Sequence, residues 1–479
     1  MNAILSPAIT ASFASRMRDR LAIQRAAFLR DGAPTLTQRR ADLLKLKSAI
    51  LARQPEIEAA LRQDFGHRST HETAAMEILP IIQGINYQRR KLRRWMRPQR
   101  RHVPMTFQPA RAWVEYQPLG VVGIMSPWNY PVSLALMPLA TALAAGNRAM
   151  IKPSEFTPAS SALLVDLVAQ TFAPEQVAVV TGDDAVGRDF ASLPFDHLFF
   201  TGSTPVGRAV MRAASEHLVP VTLELGGKSP VVVEPGHPLA HAAAAIAYGK
   251  LANAGQTCIA PDYVLVHQNA LGEFVREYDQ AVRSLYPAGP KSADCTSVIN
   301  ERHFQRLHAL LDDARSQGAR VHEVGVNPAD AAARPHHIAP TVVLGATDQM
   351  RVMQEEIFGP VLPVIGYRDL DEAIAFVNAR ARPLALYYFG GHGASIRKVL
   401  ASTTSGNVTV NNTLMHYAQE DLPFGGVGPS GIGAYHGIEG FKALSHAKGV
   451  YQQGKWNLSG LLRPPFGSMA TLILKSLLR

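Results

Sequence analysis

At 479 residues the chain exceeds the roughly 250–300 residues at which a single hydrophobic core stops growing, so two or more domains are expected. Its composition, 47% hydrophobic and 18% charged, is that of a soluble globular protein, and two cysteines exclude a disulfide scaffold and fit a reducing compartment. The net charge of +10 is concentrated: residues 88–102 hold eight Lys or Arg and residues 441–479 six more, neither stretch with an acid, and removing these fourteen leaves the rest at −4, which argues against a general nucleic-acid surface.

The N-terminus, MNAILSPAITASFASRMRDR, lacks the basic start, apolar core and cleavage site of a secretory signal. No apolar run approaches the roughly 20 residues needed to span a bilayer, and the expected location is the cytoplasm. Residues 10–100 read as helices, with Gly66 a stop after ADLLKLKSAILARQPEIEAALRQDF. Within them Ile78, Ile81, Ile82, Ile85, Leu92, Trp95 and Met96 recur at helical spacing, making the neighbouring arginines the solvated face of one amphipathic helix.

From Val121 short β-rich runs alternate with helical stretches: VVGIM (121–125), AMIK (149–152), VAVV (177–180), HLFF (197–200) and VPVTLEL (219–225). A second series follows with VVVE (231–234), YVLVH (263–267), a helix near 270–285, VLPVI (361–365), LALYYF (384–389) and NVTVN (407–411). Such alternation implies βαβ units, mainly parallel sheets, and ligands beyond the strands' C-terminal ends. Two α/β units in one chain suggest a ligand shared at their boundary. The C-terminal SMATLILKSLLR is apolar and basic; docking on a partner subunit is the favoured reading over contact with a membrane surface.

The residues suited to chemistry stand where the strands end. Cys258, in GQTCIAP, is flanked by small and polar residues after an apolar helical run, a setting for a nucleophile, although a free cysteine is also a common core residue. Asn129, in SPWNYP, offers an amide to a developing oxyanion or simply forms a turn. Lys152 and Glu155, in IKPSE, suit the hydroxyls of a ribose. In FFTGSTPVG, Gly202, Ser203 and Gly207 frame a helix start whose free N–H groups can receive a phosphate, without the G-x-G-x-x-G fingerprint. Glu224 precedes Gly226 and Gly227 in LELGGKSP. Cys295, in a polar loop, receives no role, and His336 and His337 have no companions that would complete a metal site.

Singly, each motif is explicable as a turn or a strand end. Together, SPWNYP, IKPSE, FTGSTPVG, LELGGKSP, GQTCIAP, EEIFGPVLPV, VNN and LPFGGVGPSGIG, in this order, closely resemble the NAD(P)-dependent aldehyde dehydrogenases over residues 20–450. GQTCIAPDYV and the extended C-terminal tail are most similar to the class 3 branch, and RRKLRRWMRP is similar to bacterial coniferyl-aldehyde dehydrogenases.

The resemblance implies Cys258 as the nucleophile, Asn129 as the oxyanion donor with the N–H of Cys258, and Glu224 as the general base. It implies Glu356 on the nicotinamide ribose, and as a second candidate base, with Phe358 beside the ring. Lys152 and Glu155 are then the adenosine-ribose pair, so that NAD is preferred with NADP tolerated, and Gly202, Ser203 and Gly207 lie near the pyrophosphate. The implied fold is α/β: a Rossmann-like cofactor domain (1–99 and 119–226), an α/β catalytic domain (227–427) and a small oligomerisation β-element (100–118 with 428–479). A homodimer and a small-molecule aldehyde substrate, aromatic or aliphatic, are implied with it. The rival readings are a thioesterase or CoA-acylating variant using the same cysteine, and a non-catalytic scaffold.

Overall fold

The structure, a computed structural model, describes residues 7–325, 334–391, 393–455 and 458–478. The first six residues of the N-terminal stretch and the last residue of the tail, both considered above, lie outside them.

The alternating series folds into two sheets. The first has six strands in the order Gly431–Ile432, Val221–Glu224, His197–Thr201, Val121–Met125, Arg148–Lys152 and Val177–Val179, all parallel except the first. Val121–Met125 is buried at every residue, which is why it reads as an unbroken apolar run and not as an alternation. It is also the point where the chain order reverses, with Arg148–Lys152 on one side and His197–Thr201 on the other. Open parallel sheets bind ligands at such a switch point, beyond the strands' carboxyl ends.

The second sheet has seven strands in the order Arg320–Glu323, Thr341–Leu344, Val361–Tyr367, Tyr263–His267, Pro230–Val233, Ala385–Phe389 and Asn407–Val410, again parallel except for the first. A single apolar cluster runs through both sheets, joining Val122 and Ile124 of the first to Val231, Val233 and Val264 of the second.

The N-terminal region is helical. Gly66, at φ +71°, terminates the helix Gln54–Asp64 in the left-handed conformation open to glycine. The helix Leu79–Trp95 buries Ile81, Ile85, Leu92 and Trp95 and exposes Arg90, Arg93 and Arg94, the amphipathic arrangement its sequence implies.

A third sheet stands apart, its antiparallel strands ordered Gln99–Arg101, Arg111–Pro118 and Ser445–Gln452. The chain after residue 428 does not pass directly to it. Gly431 first pairs with Glu224 on the edge of the six-stranded sheet, and only from Ser445 does the chain join the third sheet. In the tail, the helix Ser468–Leu477 buries Ala470 and leaves Met469, Leu472, Leu474 and Leu477 exposed.

Candidate active site

Cys258 follows a loop with an unusual backbone. After the helix Leu239–Leu251, three consecutive residues are left-handed: Asn253 (φ 52°), Ala254 (φ 54°) and Gly255 (φ 76°). A Cβ on Gly255 would lie 2.3 Å from the carbonyl oxygen of Gly359, so only glycine fits there. Gln256, fully buried, locks the turn: its Nε2 donates to the carbonyls of Asn253 (2.9 Å) and Ser297 (3.1 Å), and its Oε1 accepts from the N–H of Ile299 (2.9 Å). Thr257 pairs with the Tyr130 hydroxyl at 2.6 Å, and the Tyr387 hydroxyl donates to the carbonyl of Ile259 at 2.5 Å. Cys258 is held between these two anchors, partly buried.

Asn129 lies beyond the end of Val121–Met125, buried, and its Nδ2 donates to the carbonyl of Gln256 at 3.0 Å. The sequence-distant amide and the cysteine loop are thus directly joined. Each amide nitrogen carries two hydrogens, so one remains to donate elsewhere.

Glu224 ends its strand with 2% exposure, and neither carboxylate oxygen has a hydrogen-bond partner. Burial without a compensating donor holds its carboxyl well above the usual range. The Glu356 carboxylate lies over the turn that follows: a Cβ on Gly226 would stand 2.4 Å from one of its oxygens, and it accepts from the N–H of Gly227. Burial, then the Asp262 carboxylate, pushes Glu356 up to about 8 against the opposing pull of Gly227, Lys228 and Arg306. The Cys258 thiol is pushed up to about 12, first by burial and then by Glu356 and Glu224, while the N–H groups of Cys258 and Ile259 pull it down. Both carboxylates therefore share a poorly solvated space with the thiol and raise the cost of its charge.

The Glu356 segment is held from behind by residues the sequence reading left without a role. Asp262 accepts from the N–H of Ile357 (2.9 Å) and pairs with Lys228, which also donates to the carbonyls of Val352 (2.8 Å) and Glu355 (2.9 Å). Arg306 donates to the carbonyls of Glu356 (3.2 Å) and Ile357. Phe358, at φ 52°, sets its ring edge-on to Trp128 at 5.4 Å. Lys250 is buried nearby and lowered to about 8 by that burial. Lys250 had a visible signal, being the lone cation in an otherwise apolar helix, and Lys228 and Asp262 sit in or beside the quoted motifs.

The remaining predicted residues gather at the switch point of the first sheet. Lys152 ends its strand and its Nζ donates to Glu155 Oε2 at 2.9 Å. Gly202 follows His197–Thr201, and Ser203 opens the helix Thr204–Ser215 without a side-chain cap, leaving first-turn N–H groups open to an anion. Gly207 brings that helix against Leu225, whose Cδ2 would be 2.6 Å from a Cβ at this position. A paired lysine and carboxylate for ribose hydroxyls, and an uncapped helix start for a diphosphate, suit a dinucleotide.

The aldehyde dehydrogenase family model matches residues 9–450. The chain belongs to the aldehyde dehydrogenase family. Among relatives of this aldehyde dehydrogenase, a probable coniferyl aldehyde dehydrogenase of Pseudomonas aeruginosa is 51% identical over 457 residues, covering 95% of each chain. The substrate-bound state of Staphylococcus aureus AldH superposes with a TM-score of 0.91 at 36% identity, covering 97% of this chain and 99% of that one. PnpE in complex with nicotinamide adenine dinucleotide superposes at 0.84 with 27% identity, covering 93% and 91%. The α/β aldehyde dehydrogenase fold expected from the sequence is the fold observed, and the protein is an oxidoreductase that oxidises aldehydes to acids.

Proposed function

We propose that this aldehyde dehydrogenase acts through Cys258, Asn129 and Glu224, with coniferyl-type aldehydes as substrate and NAD as the preferred oxidant. The observation that carries the reading is the joining of Asn129 Nδ2 to the cysteine loop beside two buried carboxylates. After losing its proton to solvent, the Cys258 sulphur adds as the thiolate to the aldehyde carbon, and the resulting oxyanion is received by the free Nδ2–H of Asn129 and the N–H of Cys258. NAD, held by Lys152, Glu155 and the start of the helix Thr204–Ser215, supplies when bound the acceptor for the departing hydride. Glu224 then takes a proton from the water that hydrolyses the thioester, its raised pKa making its carboxylate a stronger base than an exposed one. Glu356 is the second candidate base.

The coniferyl assignment is supported by the 51% identity with the Pseudomonas aeruginosa relative. The cytoplasm as location, and a homodimer using the third sheet and the exposed tail helix, complete the proposal; the largely exposed strand Ser445–Gln452 supports the latter. The test is NADH formation at 340 nm without CoA, across coniferaldehyde, cinnamaldehyde, benzaldehyde and straight-chain aldehydes, with NAD and with NADP. Preference for the cinnamyl aldehydes supports the assignment. Preference for long aliphatic chains moves the substrate to fatty aldehydes, and turnover that requires CoA overturns the hydrolytic scheme.

A further inference from the structure

Behind Asn129 lies a set of buried charges outside the motifs. Arg68 and Glu77 are both fully buried and pair at 3.3 Å. Arg68 Nη1 also donates to the backbone carbonyl of Asn129 at 3.2 Å, and Asn253 Nδ2 donates to the same oxygen at 2.9 Å. The guanidinium carbon lies 4.8 Å from the Phe65 ring centre and 5.1 Å from that of Tyr130, the residue after Asn129. Rings on the guanidinium fix its plane without competing for its hydrogen bonds.

The two carboxylates of the same segment reach the same two loops. Glu77 sits in a π-helical turn, Ala74–Ile78, and accepts from the N–H of Ser133 at 2.6 Å, at the start of the helix Ser133–Ala145, where Val132 has no side chain able to cap. Glu72 accepts from the N–H of the left-handed Asn253 at 2.5 Å and from the Thr296 hydroxyl. One short stretch, residues 68–77, thereby grips both sides of the proposed oxyanion hole: the Asn129 loop through Arg68 and Glu77, and the cysteine loop through Glu72. π-Helical turns recur at functional sites because they redirect side chains that a regular helix would misplace.

We propose that Arg68 is a positioning residue for catalysis, fixing the backbone of Asn129 so that its side-chain amide meets the oxyanion. The proposal rests on the assignment of Asn129 as oxyanion donor. Arg68 touches no reacting atom; it acts through Asn129. Removing an oxyanion donor costs about 100- to 1000-fold in turnover, and misplacing one costs a fraction of that.

The test is a double-mutant cycle on the first-turnover burst of NADH, followed by stopped flow for the intact enzyme and for R68M, N129A and R68M/N129A. R68M is expected to slow the burst about tenfold or more, with the dissociation constant of NAD unchanged and the loss falling in kcat, not KM. In the N129A background, R68M is expected to add less than a twofold further loss. An equal loss in both backgrounds overturns the proposal, because Arg68 then acts independently of Asn129. An undiminished burst in N129A instead refutes Asn129 as oxyanion donor, a separate failure. R68M strands Glu77 in the core, so R68M/E77Q is measured beside it. A slow burst in this charge-balanced variant supports positioning, and recovery of the intact rate overturns it by showing that Arg68 only neutralises Glu77.

Discussion

Replacing Glu224 by Gln tests base duty and burial by two independent readouts. Glu224 is 2% exposed with no hydrogen-bond donor to either oxygen, so its carboxyl keeps its proton well above the 4.5 it would have in an unfolded chain. Because the folded pKa is the higher one, the native state binds the extra proton. Stability from this site is fully present below pH 4.5 and is lost as pH rises toward the folded value. A neutral glutamine escapes that loss. E224Q should gain on the native enzyme by about 1.4 kcal/mol per pH unit across the window between the two pKa values, read as denaturant midpoints at pH 5, 7 and 9. Catalytically, loss of a general base costs about 100- to 10,000-fold. Stopped flow should show an NADH burst near one equivalent per site followed by a slow steady state, and the rise of turnover with pH expected of the native enzyme should flatten. Unchanged steady turnover would transfer base duty to Glu356, and a stability difference that did not grow with pH would refute the burial argument itself.

The other perturbations address the thiol, the cofactor and the loop. In a C295S background, E356Q should speed iodoacetamide alkylation of Cys258 at pH 9, where native Glu356 is ionised and holds the thiol up; at pH 6, where Glu356 keeps its proton, the two rates should converge, and equal rates at both pH values would show no coupling. E155Q should raise kcat/KM for NADP relative to NAD by about tenfold, roughly 1.4 kcal/mol, because it removes the anion facing a 2′-phosphate and frees Lys152; an unchanged ratio would place selectivity elsewhere. G255A forces a side chain into left-handed backbone 2.3 Å from the Gly359 carbonyl, so it should cost about 2 kcal/mol or more in urea unfolding and abolish turnover; near-native stability would contradict the loop geometry.

Much of the fold was legible because parallel strands buried on both faces read as continuous apolar runs. Tyr263–His267 and Val121–Met125 fall on the residues expected for them. VPVTLEL shortens to Val221–Glu224, with Pro220, which has no N–H to give the ladder, left outside. Strands held by pairing alone had no local signal, being partly or largely exposed with sequences that resemble loops: Arg320–Glu323 was missed, and Arg111–Pro118 and Ser445–Gln452 were expected only through the resemblance, as a β-element of 100–118 with 428–479. Thr341–Leu344 carries the apolar signal and was nonetheless passed over. In the candidate site, the residues beside strand ends were found through the order of motifs. Arg68, Glu72 and Glu77 were not, because a buried charge on or beside a helix has the same letters as a solvated one until its partners, here the Asn129 carbonyl and the Asn253 N–H, are brought to it by the fold.

The same fold-dependent proximity bears on how the proposed mechanism would use a thiol and a carboxylate in turn. In this poorly solvated space an anion on either carboxylate raises the cost of an anion on the Cys258 sulphur, and the reverse. A Cys258 thiolate is therefore easiest to form while Glu224 and Glu356 hold their protons, which the raised pKa of each, about 8 for Glu356, favours. Once the sulphur is bound in a thioester it carries no charge, and that obstacle to ionising a carboxylate is gone. In the mechanism proposed above, acylation would then ease ionisation of the base needed for deacylation, so that the order of the two half-reactions would follow from the electrostatics of the site.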